Sequence, residues 1–286
     1  MVAKDTFFSR KLTLNCRGML LDMGSPWIMG ILNHTPDSFY DGGRYIHEKD
    51  IADRVEALLS EGADIIDVGC YSSRPGAVDV TAEEERKRMI EVLGILRKVA
   101  GPVLLSVDTF RPEIAWIAVE EFGVAMINDI RAGRPDDEMF KVAASLNVPL
   151  ILMHMKGNPV TMQLHPEYDS LMEEILSFFA SRISTAKKYG VHDLIIDPGF
   201  GFGKTTAHNF EILRNLELLD LFGLPVLVGI SRKSMIYKTL DTMPDHALNG
   251  TTALHALALA KGANMLRVHD VKEAREAIRL FEAYKG

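Results

Sequence analysis

Asp108, Asn128, Asp197 and Lys233 lie far apart in the chain, yet each stands at or just past the end of a short apolar run, in LLSVD, AMIND, LIID and VLVGISRK. Together they offer two carboxylates, an amide and an ammonium. A buried carboxylate matches a ligand edge with two adjacent N–H donors, as in a guanidine-like heterocycle, and an amide adds one donor and one acceptor. Left unmatched, such buried groups cost roughly 1–3 kcal/mol each. The set therefore selects a flat heterocycle with alternating donors and acceptors. Arg74, Arg267 and His269, with Asn33, form a cationic rim suited to a phosphate or pyrophosphate. Asn33 offers a carbonyl oxygen to a hard cation such as Mg²⁺, which keeps several waters and leans on substrate phosphates. One polar ligand is too few for a permanent metal site.

These residues need a scaffold that gathers them. Eight apolar runs read as strands: Trp27–Leu32, Asp64–Val68, Val103–Val107, Ala125–Ile127, Pro149–Met153, Leu194–Ile196, Val226–Val228 and Asn264–Val268. Amphipathic segments lie between them. Ile51, Val55, Leu58 and Leu59 make one helical stripe, and Met89, Val92, Leu93 and Leu96 another. Thr81 with Glu84, and Asp270 with Glu273, have capping-box spacing, and Pro112 suits a first helical turn. Pro26, Pro102, Pro149 and Pro225 enter the odd strands. Gly62, Gly123, Gly190 and Gly262 precede the even ones, as helix-ending left-handed caps. Unbroken strand–helix units with this odd/even rhythm predict one α/β domain over residues 1–286, a closed (β/α)₈ TIM barrel. Residues 1–25 form a short N-terminal extension, expected as a hairpin over the barrel floor. The alternative is an open doubly wound sheet.

In such a barrel the carboxyl ends of the strands carry the chemistry. Those ends deliver Asn33, the segment Tyr71–Gly76, Asp108, Asn128 with Asp129, His154, Asp197, the segment Ser231–Ser234, and Arg267 with His269. A lone Asp or Asn after a strand is commonly a helix N-cap, and a lone His there is commonly structural. The convergence of all of them on one rim points to a binding mouth.

The densest stretch, DPGFGFGKT from Asp197 to Thr205, ends in Gly-Lys-Thr and invites a nucleotide reading. A Walker loop would require glycine where Pro198 stands, and a dinucleotide fingerprint begun at Gly199 would require glycine where Lys204 stands. Both fail. The glycines instead let backbone pass close to a flat ligand, and Lys204 and Thr205 belong to the start of the next helix. The 286-residue chain carries a net charge of −7 with no basic block, which disfavours nucleic acid as partner. No apolar run approaches the roughly 18 residues of a membrane span. Two cysteines, Cys16 and Cys70, lack metal-ligand spacing and read as reduced thiols of a cytoplasmic protein.

Taken in order, MGILNHTPDSFYDGG, SSRPGA, SVDT, IND, LMHMKG, DPGFGFGK, GISRKS, and GTT followed by RVHDV resemble the dihydropteroate synthases over nearly the whole chain. The resemblance implies a (β/α)₈ barrel that condenses dihydropterin pyrophosphate with p-aminobenzoate, releases pyrophosphate, is assisted by Mg²⁺, and pairs as a homodimer. Asp108, Asn128, Asp197 and Lys233, with Met153 and Gly229, become the pterin set. Asn33, Arg74, Arg267 and His269 become the pyrophosphate set, with Asn33 on the metal. Ser73, Pro75, Phe202 and Ser234 surround the aminobenzoate. Phe39 joins them on a first loop that, with Asp37, closes over the product. Asp108, Asp197, Lys233, Arg267 and His269 would carry the chemistry. Tyr71, Ser73, His34 and Arg131 depart from the family pattern without removing any of these groups. A corrinoid-dependent methyltransferase on the same barrel would not need the Arg267–His269 pair. A non-catalytic pterin sensor would release no pyrophosphate, and the failed Walker spacing disfavours a kinase.

Overall fold

Period-two alternation along the strands decides the layout. The computed structural model of the chain describes residues 12–34, 48–71, 79–101, 103–157, 162 and 166–286. An antiparallel hairpin, β1 (Thr13–Cys16) and β2 (Met19–Asp22), comes first. Eight parallel strands follow: β3 (Trp27–Asn33), β4 (Ile65–Gly69), β5 (Leu105–Asp108), β6 (Met126–Asp129), β7 (Leu150–Met153), β8 (Leu194–Asp197), β9 (Leu227–Val228) and β10 (Met265–Val268). They pair in the order β8-β7-β6-β5-β4-β3-β10-β9. The cylinder closes where Ile196 bridges Val226 and donates its N–H to the Pro225 carbonyl at 3.0 Å. The expected barrel is the observed one.

Around it run α1 (Glu48–Ser60), α2 (Ala82–Val99), α3 (Pro112–Phe122), α4 (Glu138–Leu146), α5 (Leu171–Lys188), α6 (Thr206–Arg214), α7 (Ser234–Thr239), α8 (Leu248–Ala260) and α9 (Val271–Lys285). The outward strand residues Ile66, Val68, Val107, Ile127, Leu152, Ile196 and Leu266 pack with helix residues such as Val55, Leu58, Met89 and Phe179. The inward residues Met29, Ile65, Met126, Ile151, Ile195, Leu227 and Met265 form a second cluster with Leu14, Cys16, Leu21 and Met23. The hairpin therefore plugs the amino-terminal end of the barrel, as expected for the extension, of which residues 1–11 lie outside the described ones. Both cysteines are free and buried.

Strand starts differ from the apolar runs by a residue or two. Asn264, expected to open the last strand, stands one residue before its start at Met265 and accepts the Val226 N–H on its side-chain oxygen at 2.9 Å. Two expected helix starts also resolve differently. Thr81 caps α2, accepting the Glu84 N–H. Asp270 stands at the N-cap of α9 but makes no capping bond. Its carboxylate is taken by Arg232 in a two-pronged pair at 2.6 and 2.8 Å, a stronger partner than a backbone N–H. Pro112 opens α3 as expected, while Pro102 lies outside the described residues.

Candidate active site at the barrel mouth

Two residues above most of the inward apolar residues of the floor, the next inward position becomes polar or small. Ile65 is followed by Asp67, Met126 by Asn128, Ile195 by Asp197, Leu227 by Gly229 and Met265 by Arg267, while Ile151 is followed by Met153. The pairing register places Asn33 beside Gly69, Gly69 beside Asp108, and Asp108 beside Asn128. Four neighbouring strands thus present these residues at one height, about 4.8 Å apart. Met153 and Asp197 face each other across β7 and β8.

Arg267 is the centre of the cluster. Its Nε donates to Asp67 Oδ2 at 2.7 Å and its Nη2 to Asp108 Oδ2 at 2.7 Å. Asn128 donates its amide to the same Asp67 oxygen at 3.0 Å. Burial opposes the Arg267 charge, but Asp67 and Asp108 outweigh it and hold the guanidinium cationic. Burial pushes the Asp108 carboxyl up to about 7; Arg267 pulls the other way, and Asp67, Asp129 and Asp197 add to the rise. Asp197 is also raised by burial, against Lys233 and the Gly199 N–H that its Oδ1 accepts at 2.7 Å. Burial lowers Lys233 to about 8, opposed by Asp197. The Lys233 ammonium donates to the Phe200 carbonyl and lies 4.7 Å from the Phe202 ring centroid. Gly229 leaves room among these groups: a Cβ there would sit 3.8 Å from Lys233 Nζ and 4.0 Å from Asp197 Oδ2. The result is a mouth lined with fixed charge of both signs, open to a planar donor–acceptor edge.

Asp67 is the member the strand-end reading missed. It is fully buried inside an apolar run, DIIDV, and not after one. The available signal was its spacing: a carboxylate at an inward strand position must have a buried cation or donor facing it. Replacing Asp67 with Asn keeps an oxygen for both donors, and stability is expected to change by only about 1 kcal/mol. Asp67→Ala leaves the Asn128 amide and Arg267 Nε without an acceptor and is expected to cost about 3–5 kcal/mol in urea unfolding. Equal losses in the two variants would refute this assignment.

The other expected residues divide clearly. Asn33 ends β3, with its Oδ1 3.2 Å from where a Gly69 Cβ would lie, close to Asp108. His269 follows β10, with its Nδ1 3.2 Å from the hydroxyl of the buried Ser231. Ser234 opens α7 directly after Lys233. Phe202 and Phe110 pack on an apolar cluster of Ile130, Met153, Met155 and Met162, a wall beside the polar ring. Asp129 turns away from its neighbour Asn128 and ties its own turn, accepting the Arg131 and Gly133 N–H groups at 2.8 and 2.6 Å. His154 is also turned away from the mouth, buried against the Phe178 ring. Asp37, Phe39, Ser73, Arg74 and Pro75 lie outside the described residues. The departures Tyr71 and Arg131 prove to be joined: Phe110 meets the Tyr71 ring edge-on at 5.0 Å and carries the Arg131 guanidinium at 3.7 Å. His34 donates its backbone N–H to Gly69 at 2.8 Å.

Among the described residues no group of three or more His, Cys, Asp or Glu side chains could hold a metal ion. The Asn33 amide oxygen beside Asp108 fits a hard cation that arrives with waters and phosphate oxygens as its other ligands.

The chain is similar to known proteins over nearly its full length. A family profile described as pterin binding enzyme matches residues 29–269. The dihydropteroate synthase of Escherichia coli K12 is 42% identical over 274 residues, covering 95% of this chain and 96% of that one. A Yersinia pestis dihydropteroate synthase, solved in a sulfonamide drug complex, superposes with a TM-score of 0.88 at 41% identity, covering 96% and 99% of the two chains. The Xanthomonas albilineans enzyme, solved with 4-aminobenzoic acid, gives 0.87 at 39% identity and the same coverage. An eight-stranded barrel with its charged ring at the mouth, matched along almost all of both chains in each comparison, places this chain in the dihydropteroate synthase family.

Proposed function

We propose that this chain is a transferase of folate biosynthesis. It condenses (7,8-dihydropterin-6-yl)methyl diphosphate with p-aminobenzoate to give 7,8-dihydropteroate and pyrophosphate. The observation that carries this reading is the Arg267 bridge between Asp67 and Asp108, with Asn128, Asp197 and Lys233 around the same opening. Ionised Asp108 and Asp197 accept from the N–H edge of the pterin, Asn128 supplies a donor and an acceptor, and Lys233 donates to a ring acceptor. Met153 and the bare backbone at Gly229 accommodate the flat faces.

The amine of p-aminobenzoate is already neutral at pH 7, so it needs no strong base. The costly step is breaking the methylene–oxygen bond. We assign a dissociative course: diphosphate leaves with the bonding pair, and the cation left on the methylene is delocalised into the electron-rich pterin. The fixed carboxylates of Asp108 and Asp197 stabilise that positive charge in a site poor in water. Arg267 and His269, together with Arg74, receive the departing diphosphate. Magnesium, held by Asn33 and the diphosphate itself, would neutralise charge on the leaving group. The arylamine nitrogen then attacks from the side of Phe202 and Ser234, forms the C–N bond and gives up one proton to the released pyrophosphate or to solvent, with Ser73, Pro75 and Phe39 assigned to its surroundings. The same reading makes the protein a cytoplasmic homodimer and a target for sulfonamides, which resemble the second substrate.

A pyrophosphate-release assay tests this. Native protein is expected to show a burst of pyrophosphate with p-aminobenzoate omitted and steady turnover when it is present. Asp108→Ala is expected to lower kcat by about 10²–10³. Release strictly proportional to the arylamine would exclude the dissociative order, and no release with both substrates would exclude the function.

A further inference from the structure

The lysine of Gly-Lys-Thr fails the nucleotide-loop spacing, yet it is one of the most enclosed basic groups among the described residues, at 3% exposure. Lys204 Nζ lies 3.0 Å from the Gly199 carbonyl, 3.0 Å from the Phe202 carbonyl, 3.2 Å from the His154 carbonyl and 3.0 Å from His154 Nδ1. Burial lowers Lys204 to about 7, opposed by Asp197; in its ammonium form it has three protons, and four acceptors surround it. His154 is buried and held neutral, first by burial and then by the Lys204 charge, so in the tautomer protonated at Nε2 its Nδ1 accepts. The reaction derived above uses neither residue.

The surrounding turn is wound around this cation. Gly199 has φ +71°, and a Cβ there would fall 2.0 Å from the His154 carbonyl oxygen; Gly203, at φ +63°, would collide with the Lys156 carbonyl at 2.5 Å. Backbone pressed this tightly brings carbonyl oxygens together, and each needs a donor. Those of Gly199 and Phe202 point to Lys204, that of Phe200 to Lys233, and that of Gly203 to the Tyr168 hydroxyl at 2.9 Å. A P-loop offers backbone N–H groups to an anion. Here carbonyls converge on a cation that belongs to the chain itself.

We propose that Lys204 is a positioning residue: its ammonium, gripped by the carbonyls of Gly199, Phe202 and His154 and by the His154 ring, fixes the 198–203 turn so that Phe202 and the Lys233-binding Phe200 carbonyl present a preformed wall to the arylamine. This rests on the functional reading given above. Of the pterin-facing groups, Asp108 and Asn128 stand on β5 and β6, while Asp197 accepts the Gly199 N–H and Lys233 donates to the Phe200 carbonyl. The cation therefore acts chiefly on the second substrate, through Phe202, and to a lesser degree on the first, through Asp197 and Lys233.

The test compares native protein with Lys204→Met in steady-state kinetics and in amide hydrogen exchange. The variant is expected to raise KM for p-aminobenzoate roughly tenfold, while KM for the dihydropterin diphosphate, reached through Asp197 and Lys233, rises by about threefold or less. Exchange at the amides of residues 199–204 is expected to quicken by at least about tenfold, with the barrel strands unchanged. Equal increases in both KM values, or unchanged kinetics and exchange in a folded variant, overturn the proposal. Should Lys204→Met fail to fold, His154→Phe removes one of the four acceptors while keeping a packed ring. It is expected to show the same split at about threefold, and no split there refutes the role. If native protein gave no arylamine-dependent turnover, the functional reading would fail, while hydrogen exchange would still report whether Lys204 holds the turn.

Discussion

Arg267→Gln is expected to lower kcat/KM for the dihydropterin diphosphate by about 10³ or more and to destabilise the fold by about 3–5 kcal/mol. Both effects arise from one atom group. Arg267 lies between a fully buried Asp67 and a largely buried Asp108, at 2.7 Å from each. Removing the guanidinium leaves two carboxylates facing one another with Asp197 nearby. Glutamine is shorter and carries no charge, so its amide cannot neutralise the two carboxylates. Asp108, already raised to about 7 by burial and by its acidic neighbours, would then bind a proton at neutral pH. A protonated Asp108 no longer accepts a donor pair from a heterocycle. On the proposed reading the same substitution also withdraws a cation from the departing diphosphate. Urea unfolding and single-turnover kinetics read the two losses separately. A double variant, Arg267→Gln with Asp67→Asn, is expected to recover much of the stability and none of the rate, because it removes a stranded charge without restoring the cation. Recovery of activity in that double variant would show that Arg267 serves only to neutralise Asp67.

The barrel was readable from residue order because two signals agreed: short apolar runs of strand length, and helix stripes between them closed by glycines. Gly62, Gly123, Gly190 and Gly262 do all take positive φ. Reading the ends of the runs found Asp108, Asn128 and Asp197, since a parallel barrel delivers such residues to one rim. It could not find Asp67, which is hidden among apolar neighbours and made meaningful only by Arg267, two hundred positions away. Asp270 shows the converse failure. Its spacing to Glu273 suits a capping box, but Arg232 competes for the carboxylate, and only three-dimensional proximity reveals the competitor. Lys204 combines both limits. Spacing set it apart from a phosphate loop, while its partners in the fold are backbone carbonyls, which no residue type announces.

Lys233 supplies the second large effect and a direct pH signature. On the proposed reading, Lys233→Met is expected to lower kcat/KM by about 10² or more, because a buried acceptor on the pterin would lose its charged donor and Asp197 loses the counter-charge that acts on it most. In native protein, burial brings Lys233 from the ordinary 10.5 down to about 8. The ammonium is thus present below pH 8 and lost above it, and kcat/KM should fall along a limb near that value. Stability moves the other way. Between pH 8 and 10.5 the unfolded chain still holds the proton that the native state has released, so this group's contribution to folding stability rises with pH. A fall in activity accompanied by no matching fall in stability separates titration of the site from alkaline unfolding. Lys233→Arg sharpens the comparison, since a guanidinium stays charged beyond pH 12. Its activity is expected to be lower at pH 8, because its planar donors cannot copy the single contact to the Phe200 carbonyl, and flat from pH 8 to 9.5, above the titration of Asp108 near 7. If the limb near pH 8 survives in Lys233→Arg, the titrating group is another one and the ammonium has no part in binding the ring.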